Sequence, residues 1–187
     1  MNSAQIVIAL VVIAVIIVAA LAFMIARKRR SQNLREQFGP EYDRVVQKQG
    51  DVHKGERTLE FRQKHRKTLE IRPLSPSDKT RFGKRWSEIQ SQFVDDPSGA
   101  VALADGLITE VMQARGYPTT DFTQRAADIS VDHPVVVENY RAAHDIALRR
   151  SRGQASTEDL RQAMVHYRAL FSELLEEKQP ERVRREA

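Results

Sequence analysis

The sequence predicts an all-α protein with a single N-terminal transmembrane helix, a charged helical stalk and then a four- or five-helix bundle. Three observations predict it. No Asp, Glu, Lys or Arg occurs before Arg27, although the 187-residue chain carries 30 basic and 25 acidic residues. Beyond Leu74, apolar residues recur at spacings of three and four, which is the period of one helix face. No segment alternates β-branched and polar residues between turn signals; the only candidate strand, Val135-Val136-Val137, follows Asp132-His133-Pro134, which reads as a helix start.

Residues 4–26 are apolar except for Gln5 and lead directly into Arg27-Lys28-Arg29-Arg30. A helix of that length rises about 34 Å, enough to cross a hydrocarbon core of about 30 Å. It has no polar face to show to solvent, and without charge, Gly or Pro it is an anchor rather than a conduit. Ala22 and Ala26 form a small-xxx-small pair, a weak dimerisation signal in so Ala-rich a segment. Four cations follow the span and none precedes it from a side chain, so the expected topology is N-terminus outside and the rest of the chain cytoplasmic. The alternative is a cleaved signal with Ala20-Leu21-Ala22 as its site, giving an exported envelope protein. A signal of that kind has a basic n-region and a shorter apolar core than this one.

The net charge of +5 is unevenly placed. Arg27–Arg30 supply +4 and residues 44–72 supply +5, while residues 31–43, 73–120 and 121–187 are each slightly acidic. Basicity beside a span is matched to anionic lipid, so Arg27, Lys28, Arg29 and Arg30 are the expected lipid contacts. Residues 57–72, with Arg62-Gln63-Lys64-His65-Arg66-Lys67, could follow a phosphate backbone. Only Phe61 is interleaved there and no groove-reading motif is present, so this stretch is expected to be a solvated helix face near the membrane and not a nucleic-acid site.

Within the stalk (residues 27–74), the span helix should continue to Glu36 and stop at Phe38-Gly39-Pro40, where Gly ends one helix and Pro begins the next. A short helix over 41–48 and a longer one over 52–69 follow. Phe38, Val45, Val52 and Leu59 recur every seven residues, but the matching row Tyr42, Gln49, Glu56 and Gln63 is mostly polar, so a coiled coil is not expected. With so few apolar residues, residues 31–72 are expected to be dispensable for the bundle. Arg72-Pro73-Leu74-Ser75-Pro76 marks the boundary.

The bundle is expected over residues 75–178, with a charged tail over 179–187. Ser75 or Ser77 caps a helix carrying Phe82, Trp86, Ile89 and Phe93 on one face. Asp96-Pro97 opens a second, which presents Val101, Ala104, Leu107, Ile108, Val111 and Met112 and ends at Gly116 before Pro118. Thr120 or Asp121 caps a third helix, ending near Ile129. Asp132-His133-Pro134 opens a fourth, with Val136, Tyr140, Ala143 and Ala147 aligned. Ser156 with Asp159 opens a fifth, which buries Leu160, Met164, Tyr167, Phe171 and Leu174. Eight of the chain's aromatic residues lie beyond Leu74, where the core must be built.

The chemistry-bearing residues are sparse. There is no cysteine, and with it no disulfide, thiol nucleophile or Cys-ligated metal. No phosphate-cradling loop, nucleophile elbow or Glu-x-x-His motif occurs. His53, His65, His133, His144 and His166 lack metal-ligand spacing, leaving His144 with His166, on adjacent expected helices, as the one pairing to check. Asp95-Asp96 and Glu158-Asp159 sit at helix starts, where capping outranks acid–base catalysis. Tyr140, Tyr167 and Phe171 fall on core-facing stripes. No catalytic residue, metal, cofactor or small-molecule substrate is therefore expected.

The strings Leu34-Arg-Glu-Gln-Phe-Gly-Pro-Glu-Tyr-Asp43, Phe93-Val-Asp-Asp-Pro97, Arg115-Gly-Tyr-Pro118, Gln124-Arg-Ala-Ala-Asp128, Asp132-His-Pro134 and Glu138-Asn-Tyr-Arg-Ala-Ala-His144 resemble an uncharacterised bacterial family of small membrane-anchored helical proteins. Its members are commonly labelled hypothetical or secreted proteins, and the resemblance extends over residues 34–175. It implies architecture and no activity. The expected role is a binding or scaffold module held at the cytoplasmic membrane face, with the bilayer and another protein as partners. The alternative is an enzyme or ligand-binding bundle using polar groups between its last two long helices.

Overall fold

A computed structural model describes the backbone over residues 3–176 and side chains over residues 12–176; the expected tail, 179–187, lies outside the described residues. Among them are eight helices and no strand: α1 (Ser3–Phe38), α2 (Pro40–Gln49), α3 (Val52–Thr68), α4 (Pro76–Gln92), α5 (Pro97–Arg115), α6 (Phe122–Asp132), α7 (Val137–Ser151) and α8 (Thr157–Glu176). The all-α class and the helical bundle are as expected from sequence.

Local chemistry sets the helix starts. Asp51, Ser75, Asp96 and Asp121 each accept a hydrogen bond from the backbone N–H three residues on, at 2.8–3.0 Å, satisfying a donor that the first turn leaves open. Ser156 and Asp159 exchange bonds reciprocally: Asp159 N–H donates to Ser156 Oγ, and Ser156 N–H to Asp159 Oδ2. Gly116 ends α5 at φ +92°, and a Cβ there would meet the Glu70 carbonyl, so only glycine lets the α3–α4 connection pass. Arg72 N–H donates to Arg115 O (2.9 Å) at the same crossing.

One boundary differs from expectation. α6 runs to Asp132, and α7 begins only at Val137. Pro134 disfavours helix at the residue before it, and His133 accordingly takes φ −131°, ψ 59° while its N–H closes α6 on Ile129 O. The Asp-x-Pro string therefore ends a helix instead of opening one. The buried face of α7 becomes Val137, Tyr140, Ala143 and Ile146.

The main core is organised around α5. Ala100, Val101, Ala104, Leu107, Ile108, Val111 and Met112 are all fully buried, because α4, α7 and α8 each pack on this helix. Trp86 of α4 stacks on Phe171 of α8 with ring centroids 4.8 Å apart. α7 and α8 pack against each other antiparallel, with Arg149 paired to Asp159 at one end and Asn139 beside His166 toward the other.

The stretch expected to contribute few apolar residues builds a second core of its own. Leu34 and Phe38 of α1, Tyr42 and Val45 of α2 and Leu59 of α3 are buried together with Val131 of α6. The seven-residue row is thus satisfied within one chain, and only Val52 of that row remains exposed. Gly55 permits the closest approach, since a Cβ there would lie 2.9 Å from Val46 Cα. α1, α2 and α3 are a packed three-helix unit seated on α6.

Among the described residues, no helix is long and apolar enough to cross a membrane. The apolar stretch with described side chains, residues 12–26, rises only about 22 Å. The side chains of Ala4–Val11, on which the full expected span depends, lie outside the described residues. The expected transmembrane helix is therefore unsupported by those residues. Large apolar side chains from Val12 to Ile25 are nonetheless exposed along α1.

Trp86, the only tryptophan, reports on the main core from far along the chain. Leu59→Ala, a truncation in the second core, should lower the unfolding free energy read from Trp86 fluorescence in urea by about 2–5 kcal/mol. An unchanged Trp86 midpoint would show that the two cores unfold separately.

Candidate functional site

The densest polar chemistry lies on the face that α3 turns toward α6. Arg62, His65 and Arg66 occupy positions i, i+3 and i+4 of α3, so they share one face. Asp128 and Asp132 share a face of α6 in the same way. The two rows meet: Arg66 pairs with Asp132, and His65 Nε2 lies 3.6 Å from Asp128 Oδ1. This corrects the expectation of a solvated basic face, because the Arg62 and Arg66 side chains are only 16% and 23% exposed. Lys64 and Lys67, on the other side of α3, are exposed and form no ion pair among the described residues.

Glu41 is the centre of this seam. It opens α2, and its side chain is 0% exposed. Its Oε1 accepts from Arg62 Nη1 at 2.7 Å and from Arg141 Nη2 of α7 at 2.6 Å. Arg62 Nη1 also donates to Ser130 Oγ of α6 at 3.0 Å, so one carboxylate ties together four helices. Arg44 approaches Glu41 Oε2 at 3.8 Å. Burial lowers the Arg141 pKa below its usual range, and the Glu41 charge opposes that shift.

Two further clusters extend the seam. Asp132 Oδ2 accepts from Tyr117 Oη at 2.7 Å as well as from Arg66, and burial followed by that anion pushes the Tyr117 hydroxyl well above its ordinary pKa. Arg115, buried at the C-terminus of α5, donates to Leu174 O at 3.2 Å. Asp128 accepts from Gln124 Nε2 (2.8 Å), and its pKa is raised by burial. His133 Nδ1 lies 3.1 Å from Glu173 Oε1. None of these groups is an activated nucleophile beside a base; the arrangement locks helices together.

The remaining sequence candidates are placed separately. His166 Nδ1 lies 2.8 Å from Asn139 Oδ1, while His144 stacks on Phe122 at 3.6 Å, so the two histidines have different partners. No group of three metal-ligating side chains occurs among the described residues. Tyr140 accepts from Arg125, and Tyr167 donates to Asp105. Glu158 and Asp159 are both held down to about 2, the first chiefly by Arg161 and the second chiefly by Ser156.

No protein-family model, curated protein or solved structure matches the chain. Its chemistry is read from its own residues.

Of the expected lipid contacts, Arg27 bonds His53 and Arg30 pairs with Glu60, both on α3, while Lys28 and Arg29 stay exposed. α3 lies beside α1 and leaves an open groove of about 900 Å3 between them. Sequence reasoning found the basic run on α1. It missed the seam, whose only trace is the i, i+3, i+4 spacing of cations on α3 and the i, i+4 spacing of carboxylates on α6.

Glu41→Ala would strand two largely buried guanidinium groups and should cost up to about 3–5 kcal/mol of stability in urea unfolding. Replacing Glu41, Arg62 and Arg141 together by Met should cost clearly less, since no uncompensated charge then remains.

Burial lowers the pKa of His133 and of His144 below the ordinary 6.5. The unfolded chain therefore takes up these protons first, so their contribution is complete above about pH 6.5 and is lost as pH falls below it. His144→Phe keeps a ring against Phe122 without titrating. It should make the loss between about pH 7 and 5.5 shallower by up to about 1.4 kcal/mol per pH unit, and an unaltered slope would contradict this.

Proposed function

We propose that the protein is a membrane-tethered scaffold: residues 4–26 anchor α1 in the bilayer, and the bundle is a binding module for another protein at the cytoplasmic face. The observation that carries this reading is the run of exposed apolar side chains from Val12 to Ile25, ending at Arg27-Lys28-Arg29-Arg30. In water such a surface is unfavourable by about 25 cal/mol per Å2, whereas in lipid it is matched. The four cations then fall at the headgroup level, where each is attracted to anionic lipid by about 1 kcal/mol.

The absence of charge in residues 4–26 supports the same reading. The second core gives the tether its mechanical sense. α1 does not end in a loose linker; Leu34 and Phe38 are buried with α2, α3 and α6. A partner bound to the bundle is thereby held at a set distance from the lipid surface. The seam serves as structure in this account and performs no chemistry.

Reporter fusions after Glu176 leave the described body whole. A green fluorescent protein fusion should be bright and an alkaline phosphatase fusion inactive in a bacterial host. The reverse pattern would mean an exported domain and would sink the cytoplasmic assignment.

A further inference from the structure

The turn between α2 and α3 lies at the level where α1 leaves its apolar stretch. α3 runs parallel to α1, as the order of their contacts shows: Arg27 bonds His53, Arg30 pairs with Glu60, and Gln63 bonds Gln37. The first turn of α3 is therefore beside Arg27, and its Val52 and His53 line one hollow with Met24, Arg27 and Lys28. α2 runs back along α3 with Val46 against Gly55, so Lys48 and Gln49 end at the same level. We propose that this turn rests on an anionic bilayer, with Val52 among the headgroups and Lys48, Lys54 and Arg57 against their phosphates. The body then touches the membrane at a second point beside α1. The inference deepens the membrane-tether reading and rests on it for the depth of Arg27.

Three features carry it. The first is that nothing in the fold covers the turn. The bundle packs on the other half of α3, where Arg62 donates to Ser130 and Arg66 pairs with Asp132 of α6. Residues 47–54 are all exposed.

The second is charge. Glu60 is paired with Arg30, Glu56 accepts from Tyr42 Oη at 2.9 Å, and Asp51 accepts from the Lys54 N–H at 2.8 Å. Lys48, Lys54 and Arg57 are exposed and form no ion pair among the described residues. Lys54 and Arg57 are three residues apart, share a face of α3 and line one hollow with Gln49. Side chains on a helix lean toward its N-terminus, so both lean toward the turn.

The third is the apolar residue among these cations. Val52 is exposed at the very start of α3, in the hollow it shares with the equally exposed Met24. An acidic peptide would satisfy the cations and leave Val52 and Met24 bare. A lipid surface meets both kinds of side chain.

The chain has no cysteine, so a single introduced one carries a fluorescent label at a known place. The full chain is reconstituted into vesicles of phosphatidylcholine and phosphatidylglycerol that contain a lipid with a nitroxide quencher on its headgroup. A label on Gln49→Cys should be quenched. One on Lys67→Cys, about 22 Å beyond Val52 along α3, should not. Lys48→Gln, Lys54→Gln and Arg57→Gln together should reduce the Gln49→Cys quenching at least twofold, as should vesicles without phosphatidylglycerol, while Lys48→Arg with Lys54→Arg preserves it. Equal quenching at both positions, or undiminished quenching in the Gln triple variant, would overturn the proposal. A label that ignores vesicles but responds to added polyglutamate would also overturn it, in favour of a protein partner. A label on Val18→Cys with the quencher on the acyl chain reports the anchor separately. Quenching at Val18→Cys but not at Gln49→Cys rejects the turn and keeps the tether; the opposite pattern rejects the tether and keeps the turn as a peripheral contact.

Discussion

A carboxylate with no access to water, Glu41, holds this structure in register. Stripping an anion of solvent costs several kcal/mol, and the cost is recovered only when well-aligned cations replace the lost water. Arg62 and Arg141 supply that replacement from α3 and α7 at 2.7 and 2.6 Å. Because neither the anion nor its cations can move alone, α2, α3, α6 and α7 have one mutual arrangement. An apolar contact would tolerate sliding by a fraction of a turn. A buried charge does not.

The second core depends on that register. Leu34, Phe38, Tyr42, Val45 and Leu59 offer few methyl groups, and Val131 completes the set only if α6 lies where the ion pairs put it. The unit gains more from specificity than from bulk hydrophobic area. The bundle proper is different: α5 buries one apolar face along its whole length, and the Trp86–Phe171 stack lies inside a large continuous core. One chain thus uses two strategies, dense apolar packing at its C-terminal end and charge registration at its N-terminal end.

These strategies differ in how visible they are in a linear sequence. Caps and breakers act locally, so Ser75, Asp96, Gly116, Asp121 and Ser156 mark their helix boundaries in advance. The apolar stripe of α5 is also visible, because its period is intrinsic to the helix. The row Phe38, Val45 and Leu59 was visible as a period, but not as an internal core, since Val131 lies far away in sequence and its own helix shows no sign of an extra partner. The seam was hidden for the same reason. Arg62 and Arg66 resemble any basic helix face until Asp132 and the Glu41 pocket are placed against them, and charge spacing alone does not say which row meets which.

α1 has no break between its exposed apolar surface and Phe38. A continuous helix transmits torsion as well as position, because each residue turns the following ones by about 100°. Since Leu34 and Phe38 are clamped in the second core, the azimuth of the side chains from Val12 onward is fixed relative to the bundle. A single residue inserted between Ala26 and Leu34 would swing Val12–Ile25 through more than a quarter turn while leaving composition and hydropathy nearly unchanged. The phase of this helix, and not only its length or apolarity, is therefore part of the information the sequence encodes.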